Sequence, residues 1–109
     1  MRYQHRELAK GRWFQIPFLE QMAHIGSEVQ RTISWPKKNK DYCIRAIERA
    51  LELTDLTAAD IKNSKRLKEV LRMREALLDY FYFDNQYGSS DELWHSYFLP
   101  FFNAVRMKR

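Results

Sequence analysis

The segment IPFLEQMAHIGSEVQRTISW, residues 16–35, carries apolar side chains with the period of an α-helix. Those that recur every three or four positions are Phe18, Met22, Ile25, Val29 and Ile33. This period places them on one face of a helix, and Pro17 suits the first turn because that turn needs no donor from its amide nitrogens. The segment therefore predicts an amphipathic helix with an apolar side to bury.

Start and stop signals divide the rest of the chain into three more helices. Pro36 disfavours helical backbone at the residue before it, so the first helix ends there. The second helix runs to about Asp60, and the segment FDNQYGSS, residues 83–90, forms a loop between the third helix and the fourth. The predicted N-cap residues are Asn39, Ser64 and Ser89, with Glu92 completing a capping box after Ser89.

Each of these three predicted helices has an apolar stripe. In the second helix the stripe is Ile44, Ile47, Leu51, Thr54 and Ala58. In the third it is Leu67, Val70, Leu71, Leu77, Leu78 and Phe81. In the fourth it is Trp94, Tyr97, Phe98, Phe101 and Val105, and Pro100 should kink this helix. Short connections favour antiparallel neighbours, so we predict an all-α, antiparallel, up-down-up-down four-helix bundle.

The whole chain of 109 residues is predicted to be one domain, with residues 1–12 as a basic leader. No segment has the apolar core of a signal peptide, and none approaches the roughly 20 apolar residues of a membrane-spanning helix. The one cysteine, Cys43, has no partner for an internal disulfide. This indicates a reducing compartment, and we expect the cytoplasm.

Positive charge collects at one end of the predicted bundle. The net charge of +5 indicates an anionic partner, and an antiparallel bundle brings the chain start, the second connection and the chain end together. We call this end the basic pole. The cations predicted to bind RNA or DNA there are Arg6, Lys10, Arg12, Lys62, Lys65, Arg66, Lys68, Arg106, Lys108 and Arg109, with Arg72 facing outward on the third helix. Clustered charge of this kind attracts phosphates without regard to base sequence.

The same cations have a simpler interpretation, because most surface helices present a solvated Lys and Arg face opposite an apolar stripe. Arg74 does not fit that interpretation, since it falls on the stripe itself, between Val70 and Leu77. We expect Arg74 to form an ion pair with an acid on a facing helix, and the candidates are Glu28 and Glu48.

The sequence contains no catalytic signature, so we predict that the protein is not an enzyme and has no cofactor. Glu20 with His24, and Asp91 with His95, have i,i+4 spacing, whereas carboxylate di-metal bundles use Glu-x-x-His. Ordinary pairing on the helix surface is favoured over a metal site. Cys43 is expected to be a small core thiol, because no catalytic partners are evident near it.

The fourth helix is aromatic over an arc too wide to enter one core. Its large side chains are Trp94, Tyr97, Phe98, Phe101 and Phe102. We predict that part of this arc forms an interface with another subunit or partner, and that the chain is a homo-oligomer. Tyr80 and Phe81 could stack on bases, but their helical spacing favours the core or a subunit contact.

The run QMAHIGSEVQRTISWPKKNKDYCIRAIERALELTDL, residues 21–56, resembles a known family. It is similar to the four-helix-bundle family of ribosomal-RNA intervening-sequence proteins and the accessory proteins of diversity-generating retroelements. The residues that follow the family's plan are Gln21, Lys37, Lys38, Tyr42, Ile44, Ala46, Ala50 and Leu53. The resemblance implies a ring-shaped homopentamer whose basic surface binds nucleic acid and, for the accessory protein, association with a reverse transcriptase.

Three functions therefore remain open from the sequence. The first is a non-catalytic nucleic-acid-binding oligomer that assists an enzyme such as a reverse transcriptase. The second is a protein-protein module that docks a partner through its aromatic fourth helix. The third is a small helical ribonuclease of the toxin type, which is disfavoured because neither His24 nor His95 follows an Arg at the four to six residue spacing of that class.

Overall fold

Four long helices make up most of the fold. The computed structural model describes residues 11–34 and 40–107, and this part of the chain contains no β-strand. The helices are α1 (Phe18–Ser34), α2 (Lys40–Ala59), α3 (Leu67–Tyr82) and α4 (Asp91–Met107), with 3-10 turns at Trp13–Gln15 and Ile61–Arg66. The prediction of an all-α, four-helix protein is confirmed. Within the described ranges, no helix combines the length and apolarity that crossing a bilayer requires.

Helix α1 packs against both α2 and α4, and α3 packs against α2. Contacts pair the end of α1 with the start of α2, where the Cys43 thiol lies 3.5 Å from the carbonyl oxygen of Thr32. At the other end of the same pair of helices, Gln21 donates to Asp60 over 2.9 Å. Cys43 was expected to be a core thiol, but it is half-buried and packs between the ends of two helices.

The apolar face of α1 is the one its sequence predicts. Met22, Ile25 and Val29 are fully buried. Gly26 lies on the side of α1 that meets α4, where a Cβ atom would stand only 2.7 Å from Cγ of Phe98. The glycine therefore permits a close approach of the two helices that any larger residue would obstruct.

The predicted stripes of α2 and α3 are partly wrong. Ile44 and Leu71 are each 48% exposed, and Leu67 is exposed as well. Their places are taken by residues of other positions, including Ala46, Leu53, Leu56 and Met73, which are buried. The physical reason on α2 is that α1 and α3 both pack against it, so its buried arc is wider than one stripe.

Two of the predicted N-caps are also wrong. Ser64 lies inside the 3-10 turn Ile61–Arg66, whose cap is Asp60, because its carboxylate accepts a hydrogen bond from the Lys62 amide. Helix α4 is capped by Ser90, whose hydroxyl accepts from the Leu93 amide over 3.1 Å, and not by the preceding Ser89. Each predicted cap lies within a few positions of the observed one. The errors arise because several neighbouring Ser and Asp residues are able to cap a helix. The third predicted cap, Asn39, lies outside the described residues.

Candidate nucleic-acid interface

A buried hydrogen-bonded cluster, which we call the polar junction, holds the two 3-10 turns against α1 and α2. It contains Trp13, Gln21, Thr57, Asp60 and Asn63. The Gln21 amide nitrogen donates to the Trp13 carbonyl (3.1 Å) and to Asp60 (2.9 Å), while its oxygen accepts from Asn63 (2.8 Å). Asn63 also donates to the Thr57 carbonyl, and the Trp13 indole donates to the Thr57 hydroxyl. The junction thus joins the first 3-10 turn, α1, α2 and the second 3-10 turn.

Asp60 carries the negative charge of the polar junction. Burial alone would raise its pKa, but hydrogen bonds from Lys62 and Gln21 and the positive charge of Lys62 outweigh burial and lower it. The Lys62 ammonium binds the Asp60 carboxylate and donates to the Phe14 carbonyl over 3.1 Å. Lys62, predicted to contact nucleic acid, is therefore engaged in holding the fold together.

Three other cations of the prediction remain available. Lys65, Lys68 and Arg72 are exposed and follow one another at intervals of three and four residues, which puts them on one side of α3 and the turn before it. None of them pairs with an acid in the part of the chain that the structure describes. We call these three residues the basic face.

Arg66 lies beside the basic face but is partly occupied. Its guanidinium carbon is 4.8 Å from the centre of the Phe18 ring, and one of its nitrogens is 3.6 Å from Glu69. Both contacts are partly exposed, so Arg66 adds positive potential here without being a fully free cation.

A cleft opens next to the basic face, between α3 and α4. Its volume is about 590 Å³. Lys65, Arg66, Lys68, Glu69 and Arg72 supply its charged lining, and Met73, Ala76, Ser89, Leu93, Trp94 and Tyr97 supply the remainder. The cleft therefore combines a mainly cationic side with an apolar and aromatic one.

Glu69 and Tyr97 connect the two walls of this cleft. Burial, the negative charge of Glu69 and the hydrogen bond to it together raise the pKa of Tyr97 to about 12. The phenol therefore stays protonated at physiological pH and remains a donor to the Glu69 carboxylate.

The remaining predicted cations are more scattered. Arg12 is exposed and precedes the buried Trp13, and Arg106 is exposed near Glu20 and His24 of α1. The predicted contacts Arg6, Lys10, Lys108 and Arg109 lie outside the described residues, as do most of the basic leader and the Lys37 and Lys38 turn.

Arg74 forms the kind of contact that its position predicts, but with a different partner. Its Nε atom donates to Asp55 of α2 over 2.6 Å. Neither predicted partner is used: Glu28 is held by Arg31 and Arg49, and Glu48 lies near Tyr82. Because α3 packs against α2, Arg74 pairs with Asp55, the acid of α2 that lies opposite it.

Two of the five aromatic side chains predicted for an interface on α4 cannot contribute to it, and for the other three the interface stays a prediction. Trp94 and Phe98 are buried in the core of the chain, and Tyr97, Phe101 and Phe102 are half-buried against it. Large apolar residues are exposed at other positions of α4 and at the end of α3. They include Leu93, Leu99, and at the end of α3 Tyr82 and Phe83, which share a shallow cleft with Leu51 and Leu78.

In the described residues, the two members of the predicted Asp91–His95 pair have other partners. His95 Nδ1 lies 2.8 Å from the Gln30 amide, and the Tyr80 hydroxyl donates to Asp91 over 2.5 Å. Burial and the Asp91 carboxylate raise the pKa of Tyr80 to about 12. No cluster of three metal-ligating side chains occurs within residues 11–34 and 40–107.

Two features of this region were not predicted from the sequence. Hydrogen-bonded side chains of the polar junction are separated by up to 44 positions, and single Gln, Thr and Asn residues in helices carry no signal of mutual contact. The second is the Trp94 indole nitrogen, which is buried and finds no hydrogen-bond partner within residues 11–34 and 40–107. The helical spacing of Trp94 indicated burial but gave no information on its donor.

Comparison with known proteins found no match to this chain among family models, curated proteins or solved structures.

Proposed function

We propose that this protein is a non-catalytic binder of RNA or DNA that contacts the phosphate backbone through the basic face. The observation that carries the proposal is the alignment of Lys65, Lys68 and Arg72 on one exposed side, where none of the three forms an ion pair with a described acid. Contacts to phosphate fix the position of a nucleic acid but are indifferent to its bases. We therefore expect binding with little sequence preference.

The proposal extends to an accessory role. The resemblance of residues 21–56 to the accessory proteins of diversity-generating retroelements supports a cytoplasmic, homo-oligomeric subunit that assists a nucleic-acid enzyme such as a reverse transcriptase. A homo-oligomer would present several basic faces to one polymer, and their combined binding would be far stronger than that of a single face.

Charge reversal tests the proposal directly. We expect the double variant Lys65→Glu, Lys68→Glu to weaken binding of a fluorescent single-stranded RNA or DNA more than tenfold, because it removes two phosphate contacts and adds repulsion. Fluorescence anisotropy at fixed salt measures the change. The matched control is Lys40→Glu, Arg45→Glu, which changes the net charge equally at exposed positions of α2.

The comparison between the two variants decides the outcome. If both weaken binding equally while circular dichroism shows retained helix, net charge alone governs the interaction and the basic face is not the site. If the wild-type protein binds neither RNA nor DNA, the proposed function is wrong.

A second candidate function is a protein-protein module. The observation that favours it is the exposure of Tyr82 and Phe83 beside Leu51 and Leu78, since exposed aromatic groups around an apolar depression are common in interfaces. On α4, where the interface was first predicted, Trp94 and Phe98 are buried and only the half-buried Tyr97, Phe101 and Phe102 could contribute. A partner that binds the wild-type chain but not a Phe83→Asp variant would support this candidate.

A further inference from the structure

The cleft between α3 and α4 contains a hydrogen-bond donor without an acceptor. Trp94 lines the cleft and is 5% exposed, and its buried Nε1 atom has no partner among the residues that the structure describes. Buried donors in folded proteins are nearly always paired, so this donor, in a side chain that lines the cleft, would be satisfied by an acceptor that displaces the atoms covering it. The cleft therefore has a specific chemical requirement as well as a shape.

The rest of the lining narrows the class of ligand. Met73, Ala76 and Leu93 make an apolar floor beside Trp94, and the aromatic ring of Tyr97 completes it. The volume of about 590 Å³ lies within the range that holds small planar groups. Such a ligand would need a flat apolar surface and an acceptor atom on its edge.

The cations at the cleft add a requirement for negative charge next to that flat group. Lys65, Lys68 and Arg72 line the same cleft as Trp94, and Arg66 supplies a fourth positive charge. Glu69 is the opposing acid, and its charge is partly compensated by Arg66 at 3.6 Å and by the Tyr97 hydroxyl. The balance favours an anion.

A nucleotide meets all three requirements, since each base has a flat face and acceptor atoms on its edge, and each is joined to phosphate. A paired base in a duplex is stacked between neighbours and cannot enter. We infer that the cleft between α3 and α4 takes up an unpaired nucleobase of a single strand whose phosphates lie on the basic face. The inference rests on the proposed function and adds a preference for single strands to it.

The preference can be measured with three ligands of equal length. These are a single-stranded oligonucleotide, the corresponding duplex, and a single strand of abasic nucleotides that keeps every phosphate. We expect wild-type protein to bind the single strand about tenfold more tightly than either of the others, the size of effect that one base on an aromatic side chain produces. Equal affinity for the single strand and the abasic strand would overturn the inference and leave the proposed function intact.

A variant that fills the cleft tests its location. Ala76→Phe places a ring where the base would bind, so it should remove the preference for the single strand while duplex binding changes less than twofold. Ala59→Phe is the matched control, because Ala59 is exposed at the end of α2 and outside the cleft. A retained preference in a folded Ala76→Phe protein would overturn the inference.

Photocrosslinking provides a measurement that does not depend on any variant folding. A single strand with 5-iodouridine should crosslink to Trp94, Tyr97 or Met73, as located by mass spectrometry. Crosslinks found only at residues outside the cleft would overturn the inference. A wild-type protein that binds none of the three ligands would overturn the proposed function and the inference together.

Discussion

Asp60 connects the fold to the basic pole through a single carboxylate. It accepts hydrogen bonds from Gln21 and from the Lys62 amide, and it holds the Lys62 ammonium. Asp60→Asn keeps the shape but loses the charge, so we expect it to lower the free energy of unfolding by about 2 kcal/mol at neutral pH. Urea denaturation followed by circular dichroism measures this. Asp84→Asn, at an exposed position, serves as the control.

The effect of Asp60 should depend on pH in a defined direction. Because its pKa is lowered in the folded state, its contribution is complete above the unfolded pKa of about 3.9 and is lost as pH falls through the folded value. The stability difference between wild type and Asp60→Asn should therefore be constant at neutral pH and shrink below about pH 4. A difference that stays constant down to pH 2 would contradict the role of its charge.

Gly26 makes a prediction at the contact of α1 with α4. Alanine normally favours a helix interior over glycine by about 1 kcal/mol. At this position its methyl group would stand 2.7 Å from the buried Phe98 ring, and overpacking of that kind costs about 2 kcal/mol. We expect Gly26→Ala to be destabilising in thermal unfolding, and Ser27→Ala, at the exposed next position, to be close to neutral. A stabilised Gly26→Ala protein would show that the helices can separate without cost.

At the scale of the element, the start of α4 allows two neighbouring serines to be compared. Ser90→Ala removes the hydroxyl that accepts from the Leu93 amide and should lower the free energy of unfolding by about 1 kcal/mol. Ser89→Ala should have a smaller effect, because Ser89 contributes its backbone amide to Asn85 and that donor survives the change. Urea denaturation measures both changes. Equal losses of unfolding free energy in the two variants would contradict the assignment of Ser90 as the cap.

The elements were largely predictable from the sequence, and the reason is visible in α1. Its stripe has a single helical period and packs as predicted, and the breaks around residues 60 and 83–90 coincide with turns and loops. The stripes of α2 and α3 were predicted less well, since Ile44 and Leu71 fit a helical period but face solvent. Periodicity identifies an apolar side, but it does not say how many neighbours a helix has.

The candidate interface was predictable in charge but not in detail. The local spacing of Lys65, Lys68 and Arg72 survives in the structure, because it depends only on one stretch of chain. Lys62 was predicted to contact nucleic acid. In the structure its ammonium binds Asp60 and the carbonyl of Phe14, which lies 48 residues away, and no local pattern indicated the second contact. The cleft between α3 and α4 depends on the packing of both helices, which no local pattern encodes.

At the scale of the whole molecule, the basic face predicts the salt dependence of binding. Three cations that displace counterions give a slope of log affinity against log salt of about −2 for a single strand. For a duplex the slope is about −3. Titrations between low and moderate salt measure it. A slope near zero would contradict binding through phosphates.

The predicted homo-oligomer is also a property of the whole molecule. The exposed Tyr82 and Phe83 are the surface we expect a second copy to contact, since Trp94 and Phe98 of α4 are buried. We expect static light scattering at tens of micromolar to give a mass above that of one chain, and Phe83→Asp to lower it. A wild-type monomer at low and high salt would contradict the oligomer and leave that surface to a different partner.

The polar junction has a consequence for how this chain could change in evolution. Gln21 uses both ends of its amide, and its donor and acceptor are matched to Asp60, Asn63 and the Trp13 backbone. A substitution at one of these side chains leaves the polar atoms of the others buried without hydrogen-bond partners, so it lowers stability. A second substitution that supplies matching partners can restore that stability. In relatives that share this junction, Gln21, Asp60 and Asn63 should be inherited as a set or replaced together, whereas Lys65, Lys68 and Arg72 can each be exchanged for another cation independently.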